Sequence, residues 1–502
     1  MMINAQPPGW RNPRPPARYR FLVIGGGPAG LMAARTAAAM GARVALIEAH
    51  LIGGISANNG CIPSKTLIRT AQAYAMMREA PRYGALRPCE ISVDFPAAMV
   101  RMRRIRERLV RIDSPAKLAA AGIDLYFGHA HFVGPDSVDV DGIKLRFGKA
   151  LIATGSRAML PEIEGLEKAG FLNNETIFDL QELPASLLVV GGGPLGCELA
   201  QAFARFGTRT LISHREPLFL PAEERDAAQM VSDALARDGV EIHLNSQPTR
   251  VREQDGRKHV DLLNEGNTAT TVVDHILTGI GRLPAVEGLC LAAAGIQYDE
   301  VTGIHVDDFL RTSNSHVYAA GDVCLKFRFT NTAEASARIV VHNALLFGRQ
   351  RLSALTVPWC THTDPQVAHV GLYVKEARER NIPVKTFTVP MHDVDRAITD
   401  GAEDGFVKIH VREGTDQILG ATIVGRGAAE MINVVSLAMV AGVGLCRLAS
   451  VIHAYPTQGE AVRQAAQACA DTLMSPLLVG IRRWWLKARD APQRAARSGQ
   501  TS

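Results

Sequence analysis

The sequence of 502 residues lacks closely spaced cysteines. It contains eight, and the nearest two in the chain are Cys446 and Cys469. This wide spacing excludes CxxC zinc or redox motifs and does not indicate the disulfide framework of a secreted protein. The sequence also has no uninterrupted run of about 18 apolar residues, which a membrane-spanning helix would need, and no apolar signal core before Arg11. We therefore expect a soluble protein in the reducing cytoplasm.

Acidic residues are scarce at both ends of the chain. Residues 1–20 contain four arginines and no acid, and residues 476–502 contain six basic residues and one acid. The formal net charge of the whole chain is +5, so these tails of +4 and +5 leave the body near −4. A body of that sign does not predict a nucleic-acid partner, which needs basic residues clustered on one face. With 47% apolar residues the body can bury a large core, and its length predicts about three domains.

The tail contains a basic amphipathic pattern over residues 477–489. At about 100° per residue, five apolar side chains share one side of a helix: Leu477, Leu478, Ile481, Trp484 and Trp485. This pattern is typical of a helix lying on an anionic membrane surface. The other interpretation, a helix docked on the protein's own surface, stays open.

A glycine motif of the form GxGxxG occurs twice in the chain. Each copy follows an apolar strand and opens a helix, and its glycines are Gly25, Gly27 and Gly30 in the first copy and Gly191, Gly193 and Gly196 in the second. Glycines at this spacing permit a tight turn, a close approach of the backbone to a pyrophosphate, and contact between helix and strand. The helix N-terminus then offers free N–H groups to the phosphates. We therefore predict two dinucleotide-binding units.

The two copies differ where the second strand ends, a point that lies at the same distance from the third glycine in each copy. The first copy has Glu48 there, whose carboxylate can accept hydrogen bonds from both ribose hydroxyls of an unphosphorylated nucleotide. The second copy has His214 and Arg215, which suit a 2′-phosphate. The first unit is therefore interpreted as an FAD site and the second as an NADPH site, with NADH as an alternative. An ordinary solvated loop is the other interpretation of the basic pair.

These motifs predict an α/β fold in which one dinucleotide-binding domain interrupts another. The predicted FAD-binding domain covers residues 20–157 and 285–355, and the NAD(P)-binding domain covers 158–284. After Pro358 the pattern changes to short alternating strands followed by two helices, which predicts an α+β domain over 356–472. A basic, proline-rich arm (1–19) and the tail (473–502) complete the chain.

The chain resembles the class I pyridine nucleotide-disulfide oxidoreductases, which include dihydrolipoamide dehydrogenase, glutathione reductase and mercuric reductase. Besides the two glycine motifs, the resemblance rests on the segments that begin at Gly53-Gly54, Ala153-Thr154-Gly155, Gly281-Arg282, Ala320-Gly321-Asp322 and Thr363-Asp364-Pro365. Thr363-Asp364-Pro365-Gln366 and Tyr455-Pro456-Thr457 are most similar to the mercuric-reductase-like branch. The resemblance implies Rossmann-like domains, a homodimer formed through the terminal domain, and hydride passing from NAD(P)H to FAD.

The resemblance also implies roles for individual residues. Lys65 would lie near flavin N5 and pair with Glu198, and Asp322 would bond the ribityl chain of FAD. The backbone of Ala130 would contact the adenine. Glycines of the family motifs would line the two nucleotide sites, namely Gly54 and Gly155 for FAD and Gly281 for the nicotinamide nucleotide.

This chain departs from the family at its redox pair. The family has Cys-x4-Cys, whereas this sequence has Ser56-x4-Cys61. Cys61 matches the thiol next to the flavin, and Ser56 replaces the thiol that attacks an external disulfide. A hydroxyl cannot form a disulfide and is far too basic to replace a thiolate. The usual relay through a disulfide is therefore predicted to be broken.

Two further departures concern the base and the terminal thiols. Tyr455 stands where family disulfide reductases have a histidine, and Glu460 follows five residues later. A phenol with an ordinary pKa near ~10 is a poor base at neutral pH. The vicinal cysteines with which mercuric reductases end are missing, because this chain ends in Ser498-Gly499-Gln500-Thr501-Ser502. Cys360 and His362 alone do not make a metal site, and no metal is predicted.

One thiol beside a flavin can still have a chemical role. Cys61 precedes Pro63 at a predicted helix start, where the helix dipole and Lys65 would favour a thiolate. Such a thiolate could donate charge to oxidised flavin or pass through a sulfenic acid. The other interpretation is an inert buried thiol.

The sequence therefore predicts an FAD-dependent oxidoreductase that passes hydride from NAD(P)H to FAD and on to a small-molecule acceptor. A quinone, oxygen or a metal ion is the candidate acceptor, and no dithiol takes part. Two alternatives stay open, namely a conventional disulfide or mercuric reductase and a catalytically slow, nucleotide-binding redox sensor.

Overall fold

The computed structural model describes residues 5–86, 91–473 and 485. The chain divides into two compact units. The first contains the described residues up to Leu355 together with Thr361–Thr363, and the second contains Thr356–Cys360 and the described residues from Asp364 onward. Except for Trp485, the predicted helix at 477–489 lies outside the described residues, so its membrane contact stays a prediction. No helix in the described part of the chain is long and apolar enough to cross a membrane.

The first glycine motif lies near the start of the first unit. The elements up to residue 158 are β1 (Tyr19–Ile24), α1 (Pro28–Ala39), β2 (Val44–Glu48), α2 (Gly54–Asn58), α3 (Cys61–Glu79), α4 (Phe95–Val110), α5 (Pro115–Ala120), β3 (Ile123–Phe127), β4 (Ala130–Gly134), β5 (Ser137–Val140), β6 (Ile143–Ile152) and β7 (Ser156–Ala158). Proline at the first position of α1 suits a helix start, because its missing N–H would have no partner within the helix.

The second glycine motif and the return to the first sheet complete this unit. The elements are α6 (Leu166–Ala169), β8 (Ser186–Val190), α7 (Pro194–Phe206), β9 (Arg209–Ser213), α8 (Arg225–Arg237), β10 (Glu241–His243), β11 (Ser246–Gln254), β12 (Arg257–Asn264), β13 (Asn267–Val273), β14 (His275–Thr278), β15 (Arg282–Pro284), β16 (Tyr298–Asp299), β17 (Gly303–Ile304), β18 (Val317–Ala319) and α9 (Thr330–Leu345).

Two parallel sheets carry the glycine motifs. The first has the order β3-β2-β1-β6, with β18 also beside β6 and β5 and β4 extending it in antiparallel pairing. The second has the order β10-β9-β8-β14. Strands β1, β2 and β8 are almost continuously buried, as expected for parallel strands covered on both faces. Their carboxyl ends meet at one edge of each sheet, where dinucleotides bind in open α/β folds.

The second unit is an antiparallel sheet covered by helices. Its elements are β19 (Pro358–Thr361), β20 (Gln366–Gly371), α10 (Val374–Glu379), β21 (Val384–Pro390), α11 (Asp395–Thr399), β22 (Phe406–Arg412), β23 (Ile418–Gly425), α12 (Ala428–Val440), α13 (Leu445–Leu448) and α14 (Glu460–Leu473). The strand order is β19-β20-β23-β22-β21. Apolar side chains of these strands pack with those of α12 and α14 in one core.

The predicted fold class, two Rossmann-like units followed by an α+β domain, is confirmed, although some element bounds differ. The sequence pattern predicts a last helix over about residues 457–472, whereas α14 begins at Glu460. The Thr457 hydroxyl instead donates to the Ala454 carbonyl. The pattern also predicts a helix over residues 332–347, and α9 begins two residues earlier, at Thr330. Helix α2, which contains Ser56, was not predicted. The residue bounds of the three domains stay predictions.

Candidate active site

At two of the three glycines in the first glycine loop, the surrounding backbone leaves no space for a side chain. Gly25 has φ +108°, and a Cβ there would collide with the Ala153 carbonyl; a Cβ at Gly30 would collide with the Gly25 carbonyl. At Gly27, by contrast, a Cβ would meet only Gly54 Cα, at 3.8 Å. The space above Gly27 is therefore open, as the close approach of a phosphate requires.

The second glycine loop repeats this arrangement. Gly191 has φ +109°, and a Cβ there would approach the Gly279 carbonyl oxygen to 2.6 Å. A Cβ at Gly196 would collide with the Gly191 carbonyl, whereas one at Gly193 would meet only Gly279 O, at 3.9 Å. The protein's own packing thus accounts for two glycines in each copy, and the middle glycine faces free space. Both loops fit a pyrophosphate.

Glu48 lies at the end of β2, where the first loop turns. Its carboxylate accepts the N–H of Gly26 at 2.6 Å and the N–H of His50 at 2.8 Å. Burial raises the pKa of Glu48, although these two backbone bonds favour the charged form. Each oxygen accepts one backbone N–H and has a second lone pair, so the carboxylate can also accept bonds from ribose hydroxyls.

His214 takes the equivalent position in the second dinucleotide-binding unit, at the end of β9. The N–H of Gly192 donates to Nδ1 of His214 at 3.3 Å, and Nε2 lies 3.1 Å from the Leu218 carbonyl. Both ring nitrogens of His214 therefore have backbone partners within the protein. Arg215 is largely exposed and pairs with Glu216 at 3.0 Å. The second dinucleotide-binding unit thus has no acid at the position that Glu48 occupies in the first dinucleotide-binding unit.

Ser56 and Cys61 lie on consecutive short stretches of helix, α2 and the start of α3. A third residue connects them: the hydroxyl of Thr330, at the start of α9, donates to Ser56 Oγ at 2.9 Å. The Sγ of Cys61 lies 3.7 Å from the same Thr330 oxygen. Cys61 is exposed, so the interpretation of an inert buried thiol does not agree with the structure.

Lys65 is one helical turn beyond Cys61 on α3. Its Nζ forms an ion pair with Glu198 Oε2 at 2.6 Å, and the other carboxylate oxygen accepts the backbone N–H of His362 at 2.8 Å. Glu198 lies on α7, next to the second glycine motif, and its side chain is only 3% exposed. One buried carboxylate therefore positions a lysine of the first dinucleotide unit from the second.

Asp322 follows strand β18, and hydrogen bonds connect its side chain to those of Ser156 and Arg282. Ser156 donates to Asp322 Oδ2 at 2.6 Å, and Arg282 donates from Nε to Ser156 Oγ at 2.8 Å. Burial lowers the pKa of the Arg282 guanidinium, and the nearby Asp322 carboxylate opposes that shift. The two motifs that contain Gly155 and Gly281 are thus joined at the end of the first sheet. Both glycines have positive φ, +75° and +133°, and a Cβ at either would meet nothing within 4 Å.

Several buried polar atoms around Ser56 and Thr330 lack a hydrogen-bond partner among the described residues. These are Asn58 Oδ1, Arg106 Nε, Arg328 Nε and Thr332 Oγ1. Unsatisfied buried polar atoms are costly, and they are commonly explained by water or a ligand. Together with the open space above Gly27 in the first glycine loop they fit FAD. Glu48, Gly27 and Asp322 would hold it, with Lys65 and Cys61 nearby.

Three further residues were predicted for the site. Ala130 begins β4, half-buried, in the first unit. In the second unit the Tyr455 phenol donates to Asp395 Oδ2 at 2.6 Å, and this bond raises the pKa of Tyr455. Glu460 pairs with Arg463, which lowers the pKa of Glu460. Tyr455 and Glu460 therefore each bond a different neighbour.

Comparisons with known proteins agree with this geometry. A family model described as pyridine nucleotide-disulphide oxidoreductase matches residues 19–337, and the dimerisation domain of the same family matches residues 357–466. The chain belongs to this family. Its members are FAD-containing oxidoreductases that use NAD(P)H, and this chain is such an enzyme.

Individual relatives cover nearly the whole chain. A mercuric reductase of Lysinibacillus sphaericus is 32% identical over 448 residues, which are 89% of this chain and 82% of that protein. A dihydrolipoyl dehydrogenase of Thermus scotoductus is 32% identical over 462 residues, 90% of this chain and 97% of that protein. A solved Cu(II) complex of the HOCl-induced flavoprotein disulfide reductase RclA from Escherichia coli has a TM-score of 0.81 at 30% identity and covers 90% of this chain and 100% of that chain.

Three residues of this oxidoreductase were missed by sequence reasoning. Thr330 is 274 positions from Ser56, and nothing local connects the two. Asp395, the partner of Tyr455, lies on a separate short helix and also gave no signal. Ser156 could have been found, because its hydroxyl directly follows the motif glycine Gly155.

Proposed function

We propose that this enzyme passes hydride from NAD(P)H, preferably NADPH, to FAD and on to a small-molecule acceptor without a redox-active dithiol pair. The observation that carries the proposal is the hydroxyl of Ser56 at the position of the family's first cysteine, bonded to Thr330 at 2.9 Å. Because that hydroxyl cannot form a disulfide with Cys61, electrons have no sulfur relay at this site. A quinone, oxygen or a metal ion is the acceptor that we propose.

The environment of Tyr455 supports the same proposal. Disulfide reduction needs a base that keeps the attacking thiol ionised, and the raised pKa of Tyr455 keeps this phenol protonated at neutral pH. Its proton is directed to Asp395. The attacking thiol and a competent base are thus missing together. Either loss alone would impair a mechanism that uses a dithiol. Both losses agree with a mechanism in which the flavin passes electrons directly to the acceptor.

The remaining residues would bind and orient the nucleotides. FAD, when bound, supplies the hydride-accepting ring and can release electrons to an acceptor. Glu48 would accept the ribose hydroxyls of FAD, and Asp322 would bond its ribityl chain. Lys65 is held by Glu198 at 2.6 Å and would place a positive charge beside the ring. His214 takes the position of Glu48 and brings no carboxylate that would repel a 2′-phosphate, which supports NADPH.

We also propose that the enzyme is a homodimer. Helix α12 exposes Val434, Leu437 and Val440, of which the last two are 68% and 70% exposed. Ile452, in the segment after α13, is 97% exposed. Large apolar side chains exposed to this degree are typical of an interface. They lie in the part of the chain that matches the family's dimerisation domain.

An anaerobic reductive titration tests the proposal. We expect the FAD-loaded enzyme to take up one NADPH per flavin, and Ser56→Cys to raise the uptake to two by restoring the thiol pair. Ser56→Ala is the matched control and should stay at one. Uptake of two equivalents by the unsubstituted enzyme, or no gain in Ser56→Cys, would contradict the missing relay. A redox sensor would take up one equivalent and then retain its electrons with every acceptor tried.

Mercuric reduction is the second candidate, and it is favoured by similarity to relatives with that name. NADPH-dependent loss of Hg(II), measured as volatile mercury, separates the two functions. We expect turnover with a quinone and little with Hg(II), because the position of Ser56 offers the metal no second sulfur. Rapid mercury release that disappears in Cys61→Ser would favour the reductase.

A further inference from the structure

The second unit contains a pair of cysteines that the proposed function does not use. Cys446, on α13, and Cys469, on α14, are distant in sequence, yet their sulfur atoms lie 3.3 Å apart. Both are free thiols, and the Sγ–H of Cys446 donates to the Sγ of Cys469. We propose that they form a dithiol–disulfide site whose oxidant is a small-molecule disulfide. This site is independent of the flavin chemistry proposed above.

The packing of the two helices sets this contact. Cys469 is fully buried on the core face of α14, one helical turn after Ala465 and Ala466. Cys446 is partly exposed and packs against the same core. A disulfide needs a sulfur separation of about 2.05 Å, so the atoms have to approach by only about 1.3 Å. The bond would join α13 to α14, the two helices that the segment 449–459 connects. This segment contains Tyr455.

Burial assigns different roles to the two thiols. Burial raises the pKa of Cys469 to about 12. Cys469 is therefore a protonated thiol at neutral pH, with no surface open to an external reagent. Cys446 reaches solvent and is the thiol that meets the oxidant. Cys469 is in place to react with whatever forms on Cys446.

The exchange proceeds in two balanced steps. The thiolate of Cys446 attacks one sulfur of the small disulfide, the S–S bond breaks, and one small thiol leaves with a proton from solvent. Cys469 then loses its proton and attacks the sulfur of Cys446, and the second small thiol leaves. Two protein thiols are oxidised to one disulfide, and one small disulfide is reduced to two thiols.

Glutathione disulfide is the probe that tests the proposal. The FAD-loaded, full-length enzyme is incubated with it, the remaining thiols are alkylated, and the protein is digested with trypsin. We expect mass spectrometry to find peptides 427–447 and 464–482 joined and lighter than their sum by two hydrogens. Dithiothreitol should separate them. Absence of the joined peptide, with both thiols alkylated or with glutathione retained on Cys446, would overturn the proposal.

Three variants test the order of the steps. Cys469→Ala should accumulate glutathione on Cys446, because nothing resolves the mixed disulfide. Cys446→Ser should carry no glutathione on Cys469, since the buried thiol does not meet the reagent. Cys290→Ser removes an exposed thiol elsewhere and should keep the joined peptide. Glutathione on Cys469 in Cys446→Ser would contradict the assigned roles. The joined peptide in the unsubstituted enzyme decides the proposal even if a variant misfolds.

Discussion

Thr330 donates its single hydroxyl hydrogen to Ser56 across 2.9 Å. That hydrogen is therefore turned away from Cys61, whose Sγ lies 3.7 Å from the same Thr330 oxygen. While it donates to Ser56, the Thr330 hydroxyl offers no hydrogen to the Cys61 sulfur. Ser56 and Cys61 are thus linked through a shared neighbour, Thr330.

This arrangement predicts that Ser56→Ala makes Cys61 more reactive. Without Ser56 the Thr330 hydroxyl can rotate and donate to the Cys61 thiolate, which is the nucleophile. One hydrogen bond of about 1–1.5 kcal/mol corresponds to about a 5- to 10-fold faster reaction with iodoacetamide at neutral pH. Peptide mass spectrometry would measure the rate at Cys61 alone.

The double variant Ser56→Ala/Thr330→Val supplies the control. Valine has a similar shape to threonine but no hydroxyl, so the acceleration should disappear in this background. If alkylation of Cys61 is as fast in the double variant as in Ser56→Ala, the effect comes from access to the thiol and not from the Thr330 hydroxyl.

Local sequence patterns predicted the dinucleotide-binding units because the residues that form each turn, helix and strand are close together in the sequence. The turn at Gly25, the helix that follows it and the strand that ends at Glu48 all belong to one continuous segment that begins at Tyr19. Several contacts in the candidate site are not local. Thr330 meets Ser56, and His362 meets Glu198, only after distant strands have been placed. No periodicity or spacing in the sequence encodes such a pair, so these contacts required the folded structure.

The ion pair between Lys65 and Glu198 predicts a measurable loss of stability when it is broken. Among the residues that the structure describes, Lys65→Met leaves the buried Glu198 carboxylate with the His362 N–H as its one remaining partner. We expect this to cost about 2–3 kcal/mol, which a lower thermal midpoint of the FAD-free protein would report.

Replacing the Glu198 carboxylate by a neutral side chain as well should restore most of the lost stability. In Lys65→Met/Glu198→Gln the charge is gone, and the amide oxygen can still accept the His362 N–H. The midpoint should rise back toward that of the unsubstituted protein. If the double variant is less stable than Lys65→Met, repacking around Lys65 and not the unpaired charge causes the loss.

The correspondence between Glu48 and His214 predicts how to change the nucleotide preference. In His214→Glu the new carboxylate would accept the Gly192 N–H, as Glu48 accepts that of Gly26. It would also accept a ribose hydroxyl and repel a 2′-phosphate. We expect the ratio of flavin reduction rates with NADPH and NADH to fall at least about 10-fold, since charge-assisted bonds contribute about 1.5–3 kcal/mol. Anaerobic stopped-flow absorbance measures this ratio without any acceptor.

His214→Gln is the matched control for that change. Glutamine can accept the Gly192 N–H but brings no negative charge, so its ratio should fall less than that of His214→Glu. An unchanged ratio in both variants would mean that His214 does not contact the 2′-position of the bound nucleotide.

The bond from Tyr455 to Asp395 predicts the pH at which this phenol ionises. Ionising Tyr455 would break the bond and place two negative charges side by side, which is why its pKa is raised. The protonated phenol is therefore favoured in the folded protein. Its contribution to stability is fully present below the ordinary tyrosine pKa of about 10 and is lost as the pH rises through the higher folded value. At neutral pH Tyr455 acts as a hydrogen-bond donor.

Asp395→Asn should lower this pKa toward the ordinary value, because the charge of the partner is removed while an acceptor oxygen stays. Ultraviolet difference titration detects phenolate, and subtracting the curve of Tyr455→Phe isolates this residue from the other seven tyrosines. The midpoint should move to lower pH in Asp395→Asn and should not move in Asp393→Asn, which removes a nearby carboxylate that makes no bond to Tyr455. Equal midpoints in Asp395→Asn and the unsubstituted enzyme would show that the bond does not form in solution.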